Sequence, residues 1–209
     1  MNANEQLLKA IYNENIEAVK SALDAGADAN VKSNNGIPVL HYAMPYSDIV
    51  KMLLDHGADP DIRDNDGCCA LHHNACDDIY HHDCDIAGAR LLLERGGNVD
   101  TRNNFGETPL INNCWCCENS LGFIKFLIEN GADVNAQDDM NNTALLNAVN
   151  DGQTEVVKLL LEHGAAASAD ISGEYGTPLD FAQSRYEEFD NECWLEIMLM
   201  IKKAVKGNK

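Results

Sequence analysis

Basic residues are scarce in this chain. Fifteen lysines and arginines stand against 34 aspartates and glutamates in 209 residues, which gives a formal net charge of −19. Binding to nucleic acid depends mainly on cationic contacts with phosphates, so this balance disfavours a nucleic-acid partner. A basic protein or peptide is the better electrostatic match, because opposite charges speed the encounter of two molecules.

Long apolar segments are also missing. No run of about 18 apolar residues could span a membrane, and the N-terminal sequence MNANEQLLKAIYNENIEAVK has no apolar core of a signal peptide. Eight cysteines without such a peptide are typical of a reducing compartment. We therefore expect a soluble, monomeric, cytoplasmic protein that does not bind membranes. Non-classical secretion is also compatible with this sequence.

A recurring unit dominates what the chain does contain, and its clearest copy is FIKFLIENGADVN at residues 123–135. The glycine of this unit occurs five times, at spacings of 31, 39, 35 and 33 residues: Gly26, Gly57, Gly96, Gly131 and Gly164. A lysine or arginine precedes each glycine by six residues and an acid precedes it by two. Repetition at this period predicts a stacked array of small structural units.

Each unit predicts a helix that ends at its glycine. Apolar residues three and four apart form one buried face, and the cation and the acid form an i, i+4 pair on the wet face. Glycine then adopts the left-handed conformation that ends the helix. In the first repeat we expect helices over Gln6 to Asn13 and Ile16 to Leu23, with Leu7, Leu8 and Ile11 facing inward.

Short motifs that precede the helix pairs complete the pattern. They contain Gly106–Thr108–Pro109–Leu110, Leu40–His41–Tyr42–Ala43, Leu71–His72, Thr143–Ala144–Leu145 and Thr177–Pro178–Leu179. With the Gly-Ala-Asp-Val-Asn sequence after each second helix, this pattern resembles the ankyrin repeat family over essentially the whole chain. Pro38 and Cys69 depart from it, because they stand where the family has threonine.

The resemblance implies an all-α solenoid of about six helix-turn-helix repeats with β-turn fingers. Thr would cap each first helix and Pro would occupy its first turn, as capping rules favour. We expect one domain over 1–209, with repeats at 1–34 (a cap), 35–65, 66–104 (with an insertion), 105–139, 140–170 and 171–209 (a cap). Family members usually bind partner proteins on the concave face, so we expect a non-enzymatic interaction module without a cofactor.

Aromatic residues are the strongest candidates for contact with a partner. Large aromatic side chains occur in three of the five positions that follow the first helices, at Tyr12, Tyr46 and Trp115. Such residues dominate the energetics of interfaces. Further candidates lie in the same positions or at the fingertips: Arg63, Asp64, Asp77, Arg102, Phe105, Asp138, Asp139 and Tyr175. The alternative is that the aromatic residues cover apolar edges of turns and that most fingertip residues are simply solvated.

Histidine and cysteine are concentrated in the third and fourth repeats, which suggests a second hypothesis. Both residues bind zinc, so a metal-binding or redox-responsive protein is the alternative function. Its candidate ligands are Cys76, His81, His82, Cys84 and Cys116. Paired CxxC knuckles are absent, however, and His72, Cys69 and Cys114 have structural interpretations. His72 is expected to bond backbone, and the two cysteines occupy positions of small, buried side chains.

Catalysis by a cysteine–histidine pair is the third hypothesis. The expected fold offers neither a deep cleft nor a nucleophile elbow, and the sequence has no glycine-rich phosphate loop. We therefore do not expect an enzyme.

Overall fold

The computed structural model describes residues 1–73, 86–115, 121–168, 176–189 and 191–207. Eleven helices lie within these ranges: Ala3–Tyr12 (α1), Ile16–Asp24 (α2), Val39–Ala43 (α3), Ser47–Asp55 (α4), Ile86–Glu94 (α5), Pro109–Asn113 (α6), Leu121–Glu129 (α7), Ala144–Asn150 (α8), Thr154–Glu162 (α9), Pro178–Phe189 (α10) and Glu192–Gly207 (α11). The described ranges contain no β-strand, and an isolated β-bridge joins Lys32 and Pro38. The predicted all-α repeat fold is confirmed.

The chain divides into two compact units, 1–104 and 105–209. This division falls at a predicted repeat boundary, and the assignment of a single domain stays a prediction. In unit 1 the first helices α1 and α3 contact each other, and the second helices α2, α4 and α5 form another row. In unit 2 the corresponding rows are α6, α8 and α10, and α7, α9 and α11. Each unit is therefore built from two layers of helices.

The glycine that ends each second helix adopts the predicted left-handed conformation. Its φ is +87° at Gly26, +86° at Gly57, +92° at Gly96, +91° at Gly131 and +87° at Gly164. A side chain with a Cβ disfavours these angles. Two of the predicted i, i+4 ion pairs form on the wet face, Lys51–Asp55 at 3.1 Å and Lys125–Glu129 at 3.8 Å.

Threonine caps first helices as the resemblance implies. The backbone N–H of Ile111 donates to Thr108 Oγ1 at 3.3 Å, and that of Leu146 donates to Thr143 Oγ1 at 3.2 Å. The first helix of the chain is different. It extends over Ala3–Tyr12 rather than Gln6 to Asn13, because Asn2 and Glu5 form a reciprocal capping box that starts the helix earlier.

The core of each unit lies between its two layers of helices. Leu7 and Ile11 of α1 are buried as predicted, together with Leu40 and Leu53 in the following pair. Leu8 is only half-buried, so its predicted inward orientation is wrong in part. In unit 2, Phe123 is fully buried and stacks on Phe126, with ring centroids 5.9 Å apart.

Candidate functional site

The turns that precede the first helices, which we call the fingers, are residues 31–38, 62–69, 101–108 and 136–143. Side-chain amides join successive fingers. In unit 1, Asn65 Nδ2 donates to the carbonyl oxygen of Asn35 at 2.9 Å, and Asn104 Nδ2 donates to that of Asn65 at 3.0 Å. In unit 2, the N–H of Asp139 donates to the carbonyl oxygen of Phe105 at 3.0 Å. The fingers are therefore held at a fixed spacing within each unit.

Two predicted fingertip residues stabilise the turns that carry them. Asp64 Oδ1 accepts the N–H groups of Asp66 and Cys68, both at 2.9 Å. Asp138 Oδ1 accepts those of Met140 and Asn142, at 2.8 and 2.7 Å. Aspartate in this role closes a turn by binding backbone ahead of it. The Asp-x-x-Gly and Asp-x-x-Asn spacing in the sequence indicates that role, and sequence reasoning missed it.

The aromatic candidates differ in how far they are exposed. Tyr12, at the end of α1, is 83% exposed, and Trp115, two residues beyond α6, is 39% exposed. Tyr46 is half-buried and is the N-cap residue of α4. Asp77 and Tyr175 lie outside the described residues, as do the metal-ligand candidates Cys76, His81, His82, Cys84 and Cys116.

A groove of about 560 Å³ connects Tyr12 to the first finger. It is lined by Glu5, Leu8, Tyr12, Ser33, Asn34 and Tyr42. The Tyr42 hydroxyl lies 3.3 Å from Ser33 Oγ, so one aromatic wall is fixed to the finger. Sequence reasoning did not select Tyr42 or Leu8, because their approach to Tyr12 depends on how α1 packs on α3. We call this site the α1 groove.

Unit 2 exposes a second set of apolar side chains on its fingers. Phe105 is 59% exposed and Met140 is 78% exposed, at equivalent positions of neighbouring fingers. The hydrogen bond from Asp139 to Phe105 fixes these fingers side by side. Met140 was not predicted, although its position one finger after Phe105 indicates the same surface.

The charges of the finger candidates change along the chain. Arg63 and Arg102 are exposed at equivalent finger positions, and Lys32 occupies the same position in the first finger. Gln137 replaces the cation in unit 2, where Asp139 is exposed. Met140 therefore lies next to an exposed acid on a finger without a cation, whereas the finger that carries Phe105 also carries Arg102.

Buried cysteines have the inert character expected of structural residues. Cys69 and Cys114 are fully buried. Burial raises the pKa of the Cys69 thiol to about 11 and raises the pKa of the Cys114 thiol further above its usual range. A protonated thiol is a poor nucleophile, so neither group has the properties of a reactive cysteine.

Comparison with known proteins supports the repeat architecture. The family described as Ankyrin repeats (3 copies) matches residues 7–103, 47–138 and 113–191. The chain belongs to the ankyrin repeat family. Ankyrin repeats are protein–protein interaction modules and are generally not enzymes.

Several known ankyrin repeat proteins resemble this one. An ankyrin repeat protein of Fowlpox virus (strain NVSL) is 30% identical over 156 residues, which cover 75% of this chain and 78% of the relative. An ankyrin repeat protein of Acanthamoeba polyphaga mimivirus is 31% identical over 41% of this chain and 54% of its own length. The 2-5A-dependent ribonuclease of Mus musculus is 38% identical over 34% of this chain, but the match spans only 10% of the ribonuclease.

In the part of the chain that the structure describes, no helix is both long and apolar enough to cross a membrane.

Proposed function

We propose that this ankyrin repeat protein is a non-enzymatic module that binds a basic protein or peptide. The partner docks on the concave face, which the fingers and the first helices line in this family. The α1 groove carries the proposal, because it combines exposed tyrosines, the half-buried Leu8 and a carboxylate in one concavity. Concave sites with apolar walls and a few polar groups are the usual form of a binding pocket.

The chemistry of the α1 groove suits a long cationic side chain. A lysine or arginine stem packs on Leu8 and the tyrosine rings, and its charged group reaches the Glu5 carboxylate. Aromatic faces attract cations. The stem of the bound side chain also covers apolar surface of the half-buried Leu8 and of the Tyr12 ring, which stabilises the complex.

Electrostatics support a basic partner on a larger scale. The net charge of −19 attracts cations from a distance, although salt screens this attraction beyond about 8–10 Å. Phe105, Met140 and Trp115 offer apolar anchors in unit 2, and Asp139 offers charge beside Phe105 and Met140. We therefore expect raised ionic strength to slow association more than it speeds dissociation.

The proposal also covers the oligomeric state and the cellular compartment of the protein. Four cysteines in the described ranges, Cys68, Cys69, Cys114 and Cys193, are free thiols, which is compatible with a reducing cytoplasm. We propose that the protein acts there as a monomer and does not use nucleic acid as a partner.

Affinity purification from the native cell, followed by mass spectrometry, identifies the partner to be tested. The dissociation constant is then measured for the purified pair. Tyr12→Ala and Trp115→Ala are each expected to weaken binding by tenfold or more, as truncation of interface anchors does. Ile16→Ala, which removes an exposed apolar side chain from the second helix layer, is the matched control. It should leave the dissociation constant unchanged. Unchanged affinity for both aromatic variants contradicts the proposed face.

A further inference from the structure

Helix α11 is the longest of the described helices and carries apolar side chains on two faces. Ile197 and Ile201 are fully buried on the face where α11 contacts α9 and α10. Leu199 lies on nearly the opposite face, because residues two apart point in almost opposite directions around a helix. It is 55% exposed, and Leu195, one turn earlier, is half-buried. A short apolar stripe therefore follows the outer face of α11.

A concave surface follows this stripe. Its first part is a depression of about 420 Å³ lined by Glu192, Leu195, Glu196, Leu199, Met200 and Lys203. Its second part is a groove of about 520 Å³ between α9 and α11, where the half-buried Leu161 of α9 joins the lining. Glu196, Met200 and Lys203 line both parts, so the two are continuous. We call this surface the α11 groove.

Charged side chains of opposite sign lie at the two ends of the stripe. Glu192 and Glu196 are exposed toward the N-terminal end of α11, and Lys203 and Lys206 are exposed toward its C-terminal end. On α4 and α7 the outer lysine and acid form an ion pair with each other. None of the four charged groups of α11 forms an ion pair in the part of the chain that the structure describes. These charges are therefore available to a partner.

The order of these charges determines which helix fits the α11 groove. An antiparallel helix places its C-terminal half beside Glu192 and Glu196 and its N-terminal half beside Lys203 and Lys206. Basic residues in the C-terminal half and acids in the N-terminal half then form ion pairs along the rim, and that order also suits the dipole of the bound helix. The charge order of α11 suits its own dipole too, but a dipole gives no reason for leucines on the outer face.

We propose that the α11 groove binds an amphipathic helix of a partner protein, with an apolar stripe, an acidic N-terminal half and a basic C-terminal half. Its apolar residues, three and four apart, pack on Leu195, Leu199 and Leu161, as amphipathic helices do in apolar grooves. The α11 groove belongs to the second-helix layer of unit 2. This ligand is therefore additional to the partner of the concave face.

A second copy of this chain is the competing occupant, because α11 itself has an acidic N-terminal half and a basic C-terminal half. Each copy carries a net charge of −19, however, and the repulsion between two such molecules opposes their association. A helix from a less acidic protein offers the same ion pairs without that repulsion. We therefore assign the α11 groove to a different protein.

Two designed peptides test the proposal on the full chain. The probe is a stapled helix with a leucine stripe, glutamates in its N-terminal half and lysines in its C-terminal half. The control peptide has the same composition and staple, but its lysines and glutamates are exchanged. Fluorescence anisotropy at physiological ionic strength measures both dissociation constants. The probe is expected to bind at least tenfold more tightly than the control peptide, because only the probe forms the rim ion pairs in the antiparallel orientation.

Three variants of the protein locate the binding surface. Leu199→Gln removes the exposed centre of the stripe and is expected to weaken binding of the probe at least tenfold. Glu196→Lys reverses one rim charge and is expected to reduce the preference for the probe over the control peptide. Leu121→Gln removes an exposed leucine from α7 in the same layer of unit 2, and it should leave both dissociation constants unchanged.

The outcomes separate the alternatives. Tighter binding of the probe, weakened by Leu199→Gln and unaffected by Leu121→Gln, supports the assignment of the α11 groove. Equal affinity for the two peptides, binding that Leu199→Gln leaves unchanged, or no binding of the probe overturns it. Sedimentation equilibrium of the chain alone examines the competing occupant. Self-association that Leu199→Gln abolishes would show that a second copy fills the α11 groove, and this also overturns the proposal.

Discussion

The backbone N–H of Cys69 donates to Nδ1 of His72 at 3.1 Å, and the Cys69 thiol lies 3.2 Å from the same nitrogen. The residue three positions before this histidine thus sets the hydrogen bonding of its ring. Where proline takes that position, as at Pro38, the helix has no side-chain cap, and Nδ1 of His41 has no hydrogen-bond partner within the described ranges. The stability of the array therefore depends on a few positions that recur in every repeat.

Pro38→Thr is expected to stabilise the protein by about 1 kcal/mol. A threonine cap adds about 0.5–2 kcal/mol to the unfolding free energy, and a hydrogen bond to His41 Nδ1 adds about 1 kcal/mol. Loss of proline gives the unfolded chain more conformational freedom, which lowers the unfolding free energy by about 0.4–1 kcal/mol. Urea unfolding of the parent and the variant measures the difference. A variant that is less stable than the parent contradicts the role assigned to Pro38.

Cys69 makes the protein less stable at high pH. Its pKa is raised by burial from 9.0 to about 11, so the unfolded chain loses the thiol proton at a lower pH than the folded chain does. The contribution of the Cys69 thiol to the unfolding free energy is fully present below pH 9. It falls by about 2–3 kcal/mol as pH rises to 11. The Cys69→Thr variant lacks that loss.

Unfolding free energies of the parent and Cys69→Thr, measured by urea between pH 8.5 and 10.5, test this dependence. The difference between the two proteins removes the contribution of lysines, tyrosines and other cysteines that titrate in the same range. We expect the unfolding free energy of the parent to fall relative to that of Cys69→Thr as pH rises. A difference that stays constant over this pH range contradicts the prediction.

Gly131 and Gly122 offer a matched pair of substitutions. A Cβ at either position would meet no atom of the described residues within 4 Å, but Gly131 has φ +91° whereas Gly122 is the second residue of α7. Gly131→Ala is therefore expected to cost about 1–2 kcal/mol from backbone conformation alone. Gly122→Ala should stabilise by up to about 0.5 kcal/mol, because alanine favours the helical conformation but Gly122 lies in the first described turn of α7. Chemical denaturation of both variants measures the contrast, and equal effects would refute the conformational explanation.

The repeated positions account for what could be predicted from sequence. Gly131 and its equivalents end helices because of their own backbone freedom, and Thr108 and Thr143 cap helices through contacts three residues away. Those causes are local, so a single sequence reveals them. The repeat fold could therefore be inferred in advance, while the repeat boundaries stay a prediction.

The candidate sites depend on packing between repeats, which sequence spacing alone does not give. Leu8 and Tyr42 are 34 positions apart, and only the register of α1 on α3 brings them to one groove. Leu161 and Met200 line one groove for the same reason, because α9 packs on α11. Fingertip acids such as Asp64 were assigned to binding because their turn-closing role was missed.

Amide hydrogen–deuterium exchange of the protein alone and in complex with its purified partner tests the proposed binding face most directly. Slower exchange upon binding is expected in the finger segments 33–37 and 138–142 and in residues 5–12 around the α1 groove. The second-helix segments 16–24 and 154–162 should exchange at unchanged rates. Protection confined to those second helices, with fingers and groove unaffected, would contradict the account.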